Sequence, residues 1–275
     1  MRAALLLAAL LVGIAACAPM RAQRPSTALP SVQVLAERLS MPGLNRERTL
    51  RLYLPPSYAT DPDRRYPVIY MHDGQNLFDA ATANAGEWGV DETLNELAAR
   101  TGFEAIVVGI DHGGDRRGNE LIPWSHPRLG AAEGDAYLDF IVGVVKPYVD
   151  SRYRTRAEAA STALIGSSIG GLMSHYAMHR HPAVFGKAGV FSPAYWVAPQ
   201  MEALARERPL PATARVYFYA GGRESEEMVP DAERMQTLLL HQGAGSHLHV
   251  VPEGRHNEAA WRAEFARAVA WLFAL

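Results

Sequence analysis

Six short apolar runs constrain the fold of this chain most: Val68–Met71, Ala105–Ile110, Ala163–Ile165, Ala188–Phe191, Val216–Ala220 and Leu248–Val251. A strand with one wet face alternates apolar and polar residues, whereas an unbroken run is what a strand covered on both faces needs. Helical patterns separate the runs, at Val90–Arg100, Ala136–Val149, Ile169–His179, Asp231–Gln242 and Asn257–Phe273. Strand and helix in alternation predict an α/β domain, a mostly parallel central sheet with helices on both faces. Two upstream segments, Val32–Arg38 and Thr49–Leu54, alternate instead, and Pro55-Pro56 closes the second. They predict an antiparallel pair at one sheet edge. No internal repeat and no second core interrupts the pattern, so 32–275 reads as one domain.

The start of the chain has another character. Arg2 precedes an apolar stretch, Ala3–Ala16, that is short for a bilayer span and has the shape of a secretory signal. It ends in Ile14-Ala15-Ala16-Cys17, which resembles a bacterial lipobox. Cys17 is the only cysteine, so an intrachain disulfide is impossible. The expectation is a signal peptide over 1–17, lipidation at Cys17, and a flexible tether over 18–31 carrying Pro19, Pro25 and Pro30. By resemblance to Gram-negative lipoprotein sorting, Ala18 after the cysteine favours an outer-membrane anchor facing the periplasm; plain secretion is the alternative. The formal net charge is −2. That balance gives no electrostatic footprint for nucleic acid.

In a parallel sheet the ligand lies beyond the carboxyl ends of the strands. Polar and glycine residues gather after each run, and one cluster carries a motif: Gly166-Ser167-Ser168-Ile169-Gly170-Gly171 contains G-x-S-x-G between a strand and a helix. This is the context of a nucleophile elbow, with the serine on a strained turn and a helix N-terminus behind it. Ser168 is therefore the expected nucleophile. Small residues at Gly166 and Gly170 are expected to avoid backbone collision.

A serine needs a base. The chain has ten histidines. His256 follows the last strand and opens the final helix, so it is the expected base, against a bland role as helix cap. His175, His179 and His181 are expected to face outward or to cap their helix. The acid should follow the run Val216–Ala220, where Glu224 is nearest the strand end; Glu226, Glu227 and Asp231 are rivals. The oxyanion donors expected are the backbone N–H groups of Ile169 and Gln75.

Met71-His72-Asp73-Gly74-Gln75-Asn76-Leu77-Phe78-Asp79, Glu87-Trp88-Gly89-Val90-Asp91-Glu92, the elbow, and Gly254-Arg255-His256-Asn257-Glu258 with Trp261 together resemble the family of esterase D, feruloyl esterases and enterobactin-type siderophore esterases. The resemblance runs over most of 45–273. It implies an α/β-hydrolase fold and a Ser-Asp/Glu-His mechanism with no metal and no cofactor. Its catalytic residues fall on Ser168, His256 and Glu224. The implied substrate is a small-molecule or polysaccharide-linked ester. Arg117 resembles a substrate-side position, with a salt-bridged loop as the bland alternative. Trp88, Tyr195 and Trp196 are candidate pocket walls or lid packing. Two rival readings stand beside this one: a non-catalytic surface lipoprotein that binds through the same fold, and a metal-dependent hydrolase using His72-Asp73 and Asp111-His112.

Overall fold

The computed structural model describes residues 24–275. Cys17 and the expected signal segment lie outside the described residues, as does the first part of the expected tether. The chain begins with β1 (Val32–Val34), a hairpin of β2 (Leu39–Met41) and β3 (Arg46–Arg48), and β4 (Leu50–Tyr53). Strands and helices then alternate: β5 (Val68–His72), α1 (Val90–Thr101), β6 (Ile106–Ile110), the one-turn α2 (Arg117–Glu120), α3 (Gly134–Phe140), α4 (Lys146–Arg152) and β7 (Thr162–Ser167). After these come α5 (Ile169–Arg180), β8 (Lys187–Phe191), α6 (Gln200–Glu207), β9 (Arg215–Gly221), α7 (Met228–His241), β10 (Gly245–Val251) and α8 (Glu258–Phe273).

Eight strands form one sheet in the order β1-β4-β6-β5-β7-β8-β9-β10. β1 pairs antiparallel with β4, Val32 opposite Tyr53, and β4 antiparallel with β6, Leu50 opposite Ile110. All other pairings in this sheet are parallel. The apolar runs divide between two layers by side-chain alternation. Val68, Tyr70, Leu164, Val216 and Phe218 pack with α3, α5 and α7 residues such as Leu138, Leu172 and Leu239. Ile69, Met71, Ala163, Ile165, Tyr217 and Tyr219 pack with α1 and α8 through Leu94, Leu97, Phe265 and Val269. Both faces of the central strands are thus covered, which is why their sequences do not alternate. The chain leaves β5 for β6 on one side and then crosses to β7 on the other. Adjacent connections diverge there, opening a crevice at the carboxyl ends of β5 and β7.

The expected helix over 136–149 is longer, running from α3 through a π-helical turn (Ile141–Val145) into α4. The β2–β3 hairpin and α6 carry no strong periodic signal and were not expected. The hairpin is held by charge: Arg46 bridges Glu133 at 2.5 Å and Glu120 at 2.9 Å, and Arg48 reaches Glu120 at 2.6 Å. The tether expectation is also corrected over its described part. Ser26 Oγ donates to Asp79 Oδ2 at 3.0 Å, Thr27 Oγ1 to Glu87 Oε1 at 2.8 Å, and the Leu29 amide to Asp91 Oδ2 at 2.9 Å. Proline-rich sequence does not leave this stretch free, because acidic side chains of the domain accept its hydroxyl and amide donors. No helix among the described residues is long and apolar enough to cross a membrane.

Candidate active site

Ser168 stands between β7 and α5 with φ 59° and ψ −124°, a backbone conformation that L-residues rarely adopt. The surrounding structure over-determines it: the Ser168 amide donates to Phe191 O at 2.9 Å, and its carbonyl accepts from Leu172 at 3.0 Å. Gly166 makes the turn possible, since a Cβ there would lie 2.7 Å from Gly170 backbone atoms and from the His72 ring. The expectation for Gly170 needs correction. A Cβ at Gly170 would meet its nearest neighbour at 3.4 Å, ordinary contact, whereas one at Gly171 would lie 2.7 Å from Phe191 O. The second steric requirement therefore falls one residue later. Ser167 is buried as the last residue of β7. The amide of Ile169 opens α5, where unpaired N–H groups and the helix dipole favour negative charge.

His256 and Glu224 meet as expected. His256 Nδ1 lies 2.6 Å from Glu224 Oε2. An ionised carboxylate only accepts, so Nδ1 carries the proton and Nε2 keeps its lone pair. The helix-cap role belongs to the next residue: the Asn257 side chain accepts from the Ala260 amide at 3.0 Å. Glu224 Oε1 is occupied twice, by the Gly221 amide at 2.8 Å and by Ser192 Oγ at 2.7 Å. Ser192, itself at φ 46°, also accepts from Trp261 Nε1 at 2.9 Å. Trp261 in turn sets its ring edge-on to His256, centroids 5.2 Å apart. The rival carboxylates are elsewhere engaged or exposed: Glu226 and Glu227 are exposed, and Asp231 pairs with Arg234 at 2.6 Å. Ser192 stands among the polar residues that follow a strand, but nothing local marks it as the serine that joins three distant segments.

Ser168 and His256 line one cavity of about 350 Å³. Among the described residues no hydrogen bond links Ser168 Oγ to His256. Trp88 and Arg117 also line this cavity, as expected. Trp88 is nearly buried and packs on Phe191 and Trp261, so it serves wall and core together. Arg117 forms a two-pronged pair with Asp73, at 2.5 and 2.7 Å. Burial alone would raise the Asp73 carboxyl, yet the guanidinium outweighs it and holds the group below its usual range. His72 is buried and hydrogen-bonded through Nδ1 to Tyr137 Oη at 2.8 Å; burial pulls it down to about 4, so it is neutral. The Gln75 side chain spans to the His112 backbone, accepting from its amide at 2.9 Å and donating to its carbonyl at 3.1 Å. That ties the loop after β5 to the loop after β6.

Two expectations for this region are corrected. Tyr195 is buried, and its hydroxyl lies 2.6 Å from His175 Nδ1, facing the core and not this cavity. His175 and His179 do not face outward. They are buried and joined at 3.2 Å through their Nε2 atoms, and His179 Nδ1 donates to Arg208 O at 2.7 Å. Burial pulls both below the ordinary histidine range. Trp196 is exposed beside a neighbouring cavity. The groups named for a metal centre are committed to other partners: Asp73 to Arg117, His72 to Tyr137, and Asp111 to Arg51 at 2.7 Å.

A mostly parallel sheet with this turn at the end of β7, and a carboxylate-held histidine after β10, defines an α/β-hydrolase-fold protein. Solved structures share the fold. BES protein from Bacillus cereus superposes with a TM-score of 0.74 at 17% identity, covering 92% of this chain and 98% of that one. Enterobactin esterase FES from Shigella flexneri gives 0.73 at 19% identity, covering 90% and 60%. The chain belongs to the family described as "Putative esterase", which matches residues 42–272, and this places it among ester-hydrolysing enzymes. The uncharacterized protein YbbA of Bacillus subtilis is 28% identical over 242 residues, 82% of this chain and 92% of that one. The siderophore triacetylfusarinine C esterase of Aspergillus fumigatus is 32% identical over 138 residues, 47% of this chain and 44% of that one. The match thus spans less than half of that fungal esterase.

Proposed function

We propose that the protein is a serine carboxylic-ester hydrolase working through an acyl-enzyme. The observation that carries this is one cavity lined by Ser168, on its strained turn, and by His256, whose Nδ1 is held by Glu224. His256 Nε2 takes the Ser168 proton as Oγ attacks the ester carbonyl carbon. The carbonyl oxygen becomes an oxyanion, stabilised by the Ile169 and Gln75 backbone N–H groups. The intermediate collapses, the C–O bond to the alcohol breaks, and His256 returns the proton to the departing oxygen. Water then repeats the sequence on the acyl-serine, releasing the acid. Glu224 fixes the imidazole tautomer and stabilises the imidazolium. The His256 side chain is 41% exposed. This leaves it room to close on Ser168 when an ester fills the cavity, as catalytic contacts commonly tighten in the substrate complex.

The substrate reading is a siderophore lactone or a feruloyl or acetyl ester on polysaccharide, met outside the cytoplasm. It is supported by relatives named as siderophore esterases and by the lipobox-like segment ending at Cys17. Lipidation there would hold the domain on a membrane surface. The test is hydrolysis of p-nitrophenyl acetate by wild type, Ser168→Ala and His256→Ala. Each variant should lose several orders of magnitude in kcat, as removal of one member of such a unit does, with the melting temperature nearly unchanged. Equal rates for wild type and Ser168→Ala would refute the serine mechanism.

A further inference from the structure

We infer that a second cavity, which also borders His256, is the leaving-group subsite and selects uncharged alcohols with an apolar face. This rests on the serine-esterase reading above. The second cavity has a volume of about 370 Å³ and shares His256 with its neighbour; Ser168 lines only the first and Glu224 only the second. The chemistry of acylation assigns the two spaces. When the C–O bond breaks, the acyl group stays on Ser168 Oγ, in the first cavity. The alkoxide must receive its proton from His256 Nε2, so the alcohol oxygen lies within hydrogen-bond reach of that ring. The rest of the alcohol then extends into the other space that His256 borders.

The lining sets the class of alcohol. Pro193, Met228 and Trp196 supply apolar surface, and Trp196 offers a broad indole that is 56% exposed. Glu227 and Asp231 stand at the same cavity, whose described lining includes no lysine or arginine. Arg234 neutralises part of the Asp231 charge, while Glu227 is exposed. The first cavity differs in carrying a cation, Arg117, in its wall, paired there with Asp73 and accompanied by Glu258 and His112. Arg128 lies over the Trp196 ring, 5.8 Å from its centroid, but outside that lining. Within the cavity an anionic alcohol would meet Glu227, whereas a flat neutral group would pack on the exposed indole.

The test holds the acyl group constant and varies the alcohol: methyl, benzyl and 4-carboxybenzyl acetates, with wild type, Trp196→Ala and Glu227→Gln. The wild-type kcat/KM should favour benzyl over 4-carboxybenzyl acetate several-fold at low ionic strength, and added salt should narrow the gap. Trp196→Ala should lower the benzyl-to-methyl ratio of kcat/KM about tenfold, the size of a lost aromatic contact. Glu227→Gln should raise 4-carboxybenzyl acetate relative to benzyl acetate. An unchanged benzyl-to-methyl ratio in Trp196→Ala, or no wild-type discrimination against the carboxylate, would overturn the subsite. Ser168→Ala run on the same esters separates the failures. If it is inactive while Trp196→Ala discriminates like wild type, only the subsite falls. If it stays active, the reading beneath falls too.

Discussion

Replacing Ser192 by alanine isolates the support of the proposed acid, Glu224, from the carboxylate itself. The hydroxyl donates to Glu224 Oε1 and accepts from Trp261 Nε1. Ser192 is fully buried and Trp261 is 5% exposed, so water cannot replace the lost partner of the indole. A hydrogen bond to a charged group contributes about 1.5–3 kcal/mol, and a buried donor left unpaired costs about 1–3 kcal/mol. The two effects overlap, and about 3 kcal/mol in total is the expected loss. For a domain of this size that lowers the melting temperature by roughly 6–12 °C. Alanine keeps the Cβ, so the strain at φ 46° is common to both proteins. Glycine relieves that strain, so Ser192→Gly should lose less stability than Ser192→Ala. Glu224 retains the Gly221 amide and His256, so it should loosen without leaving. A small misplacement of this kind lowers kcat about ten- to a hundredfold, with KM little changed. Thermal denaturation and steady-state p-nitrophenyl acetate hydrolysis measure both quantities. A variant with wild-type melting temperature and kcat would show that Ser192 supports neither Trp261 nor Glu224.

Two further predictions concern buried charge. Arg117→Met leaves the Asp73 carboxylate without its partner and should cost about 3–5 kcal/mol in urea denaturation. Asp73 is held low beside Arg117, so it stabilises the fold at neutral pH and loses that effect as pH falls through its folded value. In the variant burial acts unopposed, and stability should instead decline as pH rises toward neutrality; an unchanged pH profile would contradict the pairing. Asp91 is shifted the other way, pushed up to about 7 by burial and by neighbouring Glu92, against the Leu29 amide bond. Its contribution is complete below the ordinary carboxylate range, about pH 3.9, and is lost as pH rises through 7. Asp91→Asn should therefore flatten the decline in stability between about pH 4 and 7, and curves that stay parallel to wild type would refute this.

What the sequence conveyed, and what it hid, follows from where each residue draws its constraint. The parallel strands were legible because burial on two faces writes itself as an unbroken run, as in Val68–Met71 and Val216–Ala220. The elbow was legible because Gly166 and Ser168 answer to local sterics. The His256–Glu224 pair followed from chain order at strand ends, and the two meet at 2.6 Å. The β2–β3 hairpin was hidden because Arg46-Glu47-Arg48 reads as surface, while its partners Glu120 and Glu133 lie more than 70 residues away. His175 and His179 were misplaced because α5 is buried on almost every side, and no periodicity marks a helix without a polar face. Their Tyr195 and Arg208 partners belong to later segments.

The node at Ser192 also orders the making of the site. The elbow is complete once β7, α5 and β8 have formed, yet Glu224 is braced through Ser192 by Trp261, which lies on the first turn of α8, and His256 sits just before that helix. On the serine-hydrolase reading, a ribosome releasing this chain would deliver Ser168 well before its proposed partners Glu224 and His256. On that reading α8 acts as a keystone: a chain in which α8 has not docked would hold the shaped turn without the Trp261 that backs Ser192 and His256.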